Sequence, residues 1–320
     1  MPKSALSRKY LHDEKAAYAF VESQLWADGR PCPHCGVVDE STALKGKSTR
    51  IGVYKCRACR KPFTVKVGTI FESSHIKLHI WLQAIFLLSS SKKGISSNQL
   101  SRSLGITLKS AWFMSHRIRE AMRDGGLTLL GGVDEVVEAD ETYFGKKAVV
   151  AKESTTGRAF TGSKRGRGPA NKLAVVSLVQ RGGKVRSFHV DRCDKTTVAK
   201  IVMDNVARET RLHTDESRLY LGADGMFASH ETVHHASKEY ARGDVNTNSV
   251  EGFFSIFKRG MRGIYQHCQE KHLHRYLSEY DFRYNNRIAL GVDDESRAAV
   301  ALRGVVGKRL TYKTVGGVRA

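Results

Sequence analysis

The stretch Val136-Val137-Glu138-Ala139-Asp140-Glu141-Thr142-Tyr143-Phe144-Gly145 decides how the second half of the chain is read. Val133 to Ala139 has the character of a strand, and it delivers a carboxylate, Asp140, at its end. Downstream, Lys172 to Val179 is a nearly continuous apolar run. Arg181-Gly182-Gly183-Lys184 then supplies a turn and Val185 to Val190 returns, the pattern of a hairpin. Asp194 to Arg208 carries Val198, Ile201, Val202, Asn205 and Val206 on one helical side. Arg211-Leu212-His213-Thr214 forms a further strand ending on a second carboxylate, Asp215. Asn248 to about Arg259 and Lys271 to Tyr284 are helical again. Strand, strand, strand, helix, strand is the order of an α/β domain.

A third carboxylate, Glu251, falls in the first turn of the helix from Asn248, with 35 residues between it and Asp215. In-line attack on a phosphodiester requires an activated water or 3′-hydroxyl and a stabilised leaving oxygen. Two divalent ions about 3.5–4 Å apart supply both, and hard carboxylate oxygens suit Mg²⁺ or Mn²⁺. Asp140, Asp215 and Glu251 are the catalytic and metal-binding candidates. Glu141, Glu138 and Asp224 are rivals. Glu251 three residues after Asn248 also fits a capping pair. Lys258 lies seven residues past Glu251, about two turns along the same face, where a cation can hold a phosphate beside the metals.

The first half reads differently. Tyr18, Val21, Leu25 and Trp26 mark a short helix, which Asp28-Gly29-Arg30-Pro31 ends. Cys32-x2-Cys35 and Cys56-x2-Cys59, twenty residues apart, form the double knuckle of a structural zinc site. Four protein ligands leave that ion no open position. Gln99 to Thr107 followed by Lys109-Ser110-Ala111-Trp112 reads as a helix-turn-helix turning at Gly105, with Lys109, His116, Arg117 and Arg119 on its exposed, DNA-facing side. The second of these helices carries a core-facing stripe of Ala111, Met114, Ile118 and Met122.

The 53 Lys and Arg against 32 Asp and Glu give a formal net charge of +21, which favours a polyanionic partner, nucleic acid first. Charge alone leaves ribosome-like adhesion or an acidic membrane surface open. The basic Gly-rich insert 146–172, with Lys164, Arg165 and Arg167, and Arg259 on the late helix are further nucleic-acid candidates. Met1 to Ala5 has no apolar core of a secretory leader, and Leu78 to Leu88 is too short to span a bilayer. A soluble, cytoplasmic protein without a membrane partner is expected.

Together these segments resemble the DDE transposases of bacterial insertion sequences, in the subgroup with an N-terminal zinc ribbon and an ISXO-like transposase domain. The resemblance rests on Cys32-Pro33-His34-Cys35-Gly36, Tyr54-Lys55-Cys56-Arg57-Ala58-Cys59, Phe63 to Phe71, Glu138 to Gly145 and His213-Thr214-Asp215-Glu216. Its most specific block is Asn246 to Ser255, running on through Phe257-Lys258-Arg259-Gly260. Lys271-His272-Leu273 and Phe282 to Arg287 complete it. It implies an α/β catalytic domain with an RNase H-like mixed sheet and flanking helices, Asp140 and Asp215 as the first two acidic residues, and Glu251 as the third with Asn248 as rival or auxiliary. It also implies binding of terminal inverted repeats in double-stranded DNA, two catalytic Mg²⁺ or Mn²⁺ ions, one structural Zn²⁺, cleavage at element ends and strand transfer into a target. A homo-oligomer on the DNA, in the nucleoid of a prokaryotic cell, follows from the need to join two ends. The expected division is 1–72 for helix and ribbon, 73–130 for the helix-turn-helix region and 131–320 for the catalytic domain. A DNA-binding regulator with an inactive domain and a hydrolytic nuclease without strand transfer are the alternative functions.

Overall fold

A computed structural model describes residues 4–125, 128–145, 172–237 and 239–311. They fall into two compact units, Met1–Asp124 with Asn286–Ala320, and Gly125–Asn285.

In the first unit, helix α1 (Glu14–Leu25) starts where the Asp13 carboxylate accepts the Ala16 N–H. Three short strands follow, β1 (Ser41–Ala43), β2 (Tyr54–Cys56) and β3 (Pro62–Phe63), in an antiparallel sheet of order β1-β2-β3. Helices α2 (Leu78–Ser90), α3 (Ser97–Leu104) and α4 (Leu108–Met122) complete the N-terminal part. Gly105 ends α3 in the left-handed region, at φ 63°, and its N–H bonds the Ser101 carbonyl. Thr107 then caps α4 by accepting the Ser110 N–H.

The paired helices are present where the sequence places them, but the exposed face assigned to α4 is not. His116, Arg117 and Arg119 are all buried, because α4 packs against α2, α3 and helix α8 (Asp294–Arg303). The Arg117 guanidinium donates to the carbonyls of Ile70, Glu72 and Leu310, so it ties three segments of its own unit together. Lys109, in the first turn, stays exposed. The place of α8 also departs from the expected division, which put it with the catalytic domain. It packs on α1, α2 and α4, and Ile70 N–H bonds the Val305 carbonyl just after it. A Cβ at Gly304 would lie 2.3 Å from the Ala121 carbonyl oxygen, so only glycine permits that approach.

The second unit is built on a five-stranded sheet of order β6-β5-β4-β7-β8. Its strands are β4 (Val136–Phe144), β5 (Leu173–Gln180), β6 (Val185–Val190), β7 (Arg211–Asp215) and β8 (Ser229–Val233). β4, β5 and β6 pair antiparallel, whereas β7 runs parallel to β4 and β8 parallel to β7. Helix α5 (Lys195–Asn205) makes the crossover to β7. A two-stranded hairpin, β9 (Ala241–Arg242) and β10 (Val245–Asn246), leads into α6 (Asn248–Gly260), and α7 (Leu273–Asn285) follows.

Each sheet face has its own core. Val137, Ala139, Val176, Leu178 and Leu212 pack with Val198 and Val202 of α5. Phe144, Leu173, Val175, Val179 and Val185 pack with Phe253, Phe254 and Phe257 of α6 and Leu277 and Tyr280 of α7. β5 is buried on both faces along nearly its whole length, which accounts for its continuous apolar sequence. This is the mixed sheet with flanking helices expected of an RNase H-like domain. Among the described residues no helix is long and apolar enough to cross a membrane.

Candidate active site

Strand register brings the first two aspartates together. Glu138 of β4 pairs with His213 of parallel β7. Two residues further along each strand stand Asp140 and Asp215, so the period-two alternation puts both on the face that α6 covers. Carboxylate oxygens of Asp140, Glu141 and Asp215 all lie within 4.8 Å of one another. Glu141 reaches the group from the other side of the strand, where Ser217 Oγ and Tyr220 Oη donate to its oxygens at 3.3 and 3.2 Å.

Three carboxylates at this spacing resist ionising together. Asp140 is pushed up to about 8, first by burial and then by Asp215, Glu141 and Glu251. Burial also raises Asp215, partly offset by the Ser217 N–H that bonds its Oδ1 at 3.0 Å. Burial and Asp215 raise Glu141. A cation among these oxygens would reverse the repulsion, and oxygen-only donors fit a hard divalent ion such as Mg²⁺ or Mn²⁺.

Glu251 stands outside that close group. Its side chain is 47% exposed, with Oε1 3.4 Å from His235 Nε2 and 3.2 Å from Thr247 Oγ1. It is nevertheless close enough to Asp140 to raise that residue's pKa. His235, which the sequence reading passed over, has Nε2 3.4 Å from Glu251 Oε1 and is near enough to Asp215 to lower that residue's pKa. The adjacent His234-His235 pair was the only signal available. Lys258 is partly buried, which lowers its pKa, and the Asp140 carboxylate opposes that shift. The two-turn spacing from Glu251 therefore does carry the lysine toward the acidic group. Arg259 is exposed on the same helix.

The capping pair expected of Asn248 and Glu251 is not formed. Helix α6 is preceded by Thr247, which makes no side-chain cap, and Asn248 is its exposed first residue. The cap comes from another element. Glu138 Oε2 accepts the N–H groups of Ser249 at 2.7 Å and Val250 at 3.0 Å. Glu138 is thus a helix cap, and Asp224 is an exposed partner of His230. Lys164, Arg165 and Arg167 lie outside the described residues.

The cysteine group is tightly drawn. Cys32, Cys35, Cys56 and Cys59 offer four sulfurs within 4.8 Å of one another, and Cys32–Cys59 and Cys35–Cys56 are each 3.7 Å apart. A tetrahedron with Zn–S bonds of about 2.3 Å has edges of about 3.8 Å, so the thiols fit a zinc ion. Gly36 and Arg60, each following the second cysteine of its knuckle, both adopt positive φ, at 78° and 64°. His34 is exposed and belongs to no ligand group among the described residues.

Along the chain, a four-cysteine ribbon precedes a mixed sheet that carries paired aspartates, an order found in zinc-ribbon transposases. Residues 129–285 match the ISXO2-like transposase domain and residues 12–62 the transposase zinc-ribbon domain, and the chain belongs to this family of insertion-sequence transposases. It is 26% identical over 265 residues to an uncharacterized protein in transposable element ISH50 of Halobacterium salinarum, covering 80% of this chain and 87% of that one. A crystal structure of a pre-cleavage Mos1 transpososome aligns over 62% of this chain and 78% of that chain. The two are 8% identical, with a TM-score of 0.17.

Proposed function

We propose that this transposase binds the terminal inverted repeats of its insertion sequence, cleaves DNA at the element ends and transfers the strands into a target. Asp140, Asp215 and Glu251 would hold two Mg²⁺ or Mn²⁺ ions, with Asn248 as an auxiliary polar group in the same helical turn. When bound, such ions activate the attacking water or 3′-hydroxyl and stabilise the leaving oxygen. The observation that carries this reading is the register that sets Asp140 and Asp215 side by side on parallel strands, under the helix bearing Glu251. Glu141 supports the site from the far face, since Tyr220 and Ser217 hold its oxygens. Lys258 neutralises and orients the phosphate next to the scissile bond.

The four cysteines would hold one structural Zn²⁺ and shape the ribbon as a DNA-binding module. Lys109, Arg259 and the basic insert with Lys164, Arg165 and Arg167 contribute phosphate contacts, so binding weakens steeply with salt. Bringing two element ends together calls for a homo-oligomer on the DNA.

Incubation with duplexes carrying the inverted repeats that flank the gene, a target plasmid and Mg²⁺ tests the reading. Joined products are expected. Nicking alone would mark a hydrolytic nuclease, and binding alone a regulator. Asp140→Ala or Asp215→Ala is expected to lower cleavage by at least ~10³-fold while binding stays within a few fold. Retained cleavage in either variant would remove the proposed site.

A further inference from the structure

We propose that Glu138 and Arg181 are positioning residues that lock the start of α6, and with it Glu251, at a fixed height above Asp140 and Asp215. The proposal rests on the metal-site reading above.

Glu138 is wholly buried, yet both of its oxygens are fully engaged by the protein. Oε2 takes the Ser249 and Val250 N–H groups, at 2.7 and 3.0 Å. Oε1 accepts from Ser249 Oγ at 2.9 Å and from Arg181 Nε and Nη2 at 3.0 and 2.8 Å. Five donors on one carboxylate leave no free lone pair directed at a metal, and the guanidinium against it repels one. That separates Glu138 from the acidic group of Asp140, Glu141 and Asp215.

Arg181 extends the clamp. It follows the last residue of β5, and its other nitrogen contacts reach the Asp244 carbonyl at 2.8 Å and both the carbonyl and Oδ1 of Asn246 at 3.2 Å. One guanidinium therefore joins β5, Glu138 on β4 and the hairpin that feeds α6. The helix cannot shift along its axis without breaking these bonds, because Thr247 supplies no cap of its own.

The placement gives the clamp a catalytic consequence. Glu138 and Asp140 are alternate residues on one strand, about 6.8 Å apart on the same face. The cap of the helix bearing Glu251 thus comes from the strand that delivers Asp140, and a single rigid element sets the distance between the two ligands. Misplacement of a reacting group by about 1 Å can cost 10²-fold in rate. Glu138→Gln removes the charge against Arg181 and keeps a single acceptor oxygen, so its NH2 must face either the helix N–H groups or the guanidinium, donor against donor. Arg181→Lys keeps the charge but loses the fork that spans Glu138 and Asn246.

The test uses the full chain with Mn²⁺ as the probe, its affinity followed by the electron paramagnetic resonance signal of the free ion, alongside cleavage kinetics on duplexes bearing the flanking repeats. Val202→Ala, in the core on the opposite sheet face, serves as a variant that loses stability without touching the clamp. Glu138→Gln and Arg181→Lys should each weaken Mn²⁺ binding about tenfold and slow cleavage turnover about 100-fold, with KM for DNA within about threefold. Val202→Ala should lower Tm and leave both readouts unchanged. Clamp variants that behave like Val202→Ala overturn the proposal, because the clamp then serves stability alone. Loss of Mn²⁺ binding in Glu138→Gln as complete as in Asp140→Ala overturns it too, by making Glu138 a ligand. Normal Mn²⁺ binding and cleavage by Asp140→Ala would instead remove the metal-site reading, and the positioning role with it.

Discussion

The ribbon and the acidic site both gather metal-ligating groups within 4.8 Å, yet they are built in opposite ways. The cysteines come as two local pairs, each turned by a residue at positive φ, and their sulfur spacings already match a closed tetrahedron. The carboxylates come from strands far apart in sequence, and Asp215 raises the pKa of both Asp140 and Glu141. Glu251, the third proposed ligand, is turned toward His235. A closed thiol cage suits an ion that stays, whereas a self-repelling, incomplete carboxylate group suits ions that act with substrate.

Removing zinc should expose this difference most strongly. Chelation, or Cys56→Ser, should abolish hydrogen-exchange protection over residues 32–63 and weaken element-end binding by more than about tenfold, while β4 to β7 stay protected. Collapse of protection in both regions would mean that the ribbon is not a separate structural device.

A smaller effect is expected at the acidic site, and it runs with pH. Folded Asp140 keeps its proton up to about 8, against an ordinary value of 3.8. Between those values the metal-free folded state binds the extra proton, so the stability this group permits below about pH 4 is lost as pH rises toward 8. Metal-free Asp140→Asn should therefore melt about 5 °C above the parent at pH 8 and within about 1 °C of it at pH 4. Mn²⁺ should stabilise the parent and not the variant. Identical melting of the two proteins across this range would show that burial and the neighbouring carboxylates do not hold the Asp140 proton.

Much of this was legible because it is written locally. The knuckle spacing, the Arg181-Gly182-Gly183-Lys184 turn, the apolar run of β5 and the strand ending on Asp215 are short-range signals, and the structure places elements there, whereas β4 runs on past Asp140 to Phe144 through its pairing with β5. The misreadings share a cause: each depends on a partner distant in sequence. His116, Arg117 and Arg119 have the composition of a solvated helix face, and only the return of α8 and the carbonyls of Ile70, Glu72 and Leu310 make that face interior. Glu138 looks like one more acid beside Asp140. Its bonds to Ser249 and Val250, more than 110 residues away, make it the cap that Asn248 and Glu251 do not provide. Arg60 matches Gly36 in backbone conformation with no glycine to announce it.

The most direct test of the central claim is a change of metal preference written into the ligands themselves. Asp140→Cys and Asp215→Cys replace a hard oxygen with a softer sulfur, which Mg²⁺ accepts poorly and Mn²⁺ tolerates. If these side chains hold the catalytic ions, each variant will fail to cleave element ends in Mg²⁺ and recover cleavage in Mn²⁺. Cleavage in Mg²⁺ at the parent rate by either variant would contradict the assignment.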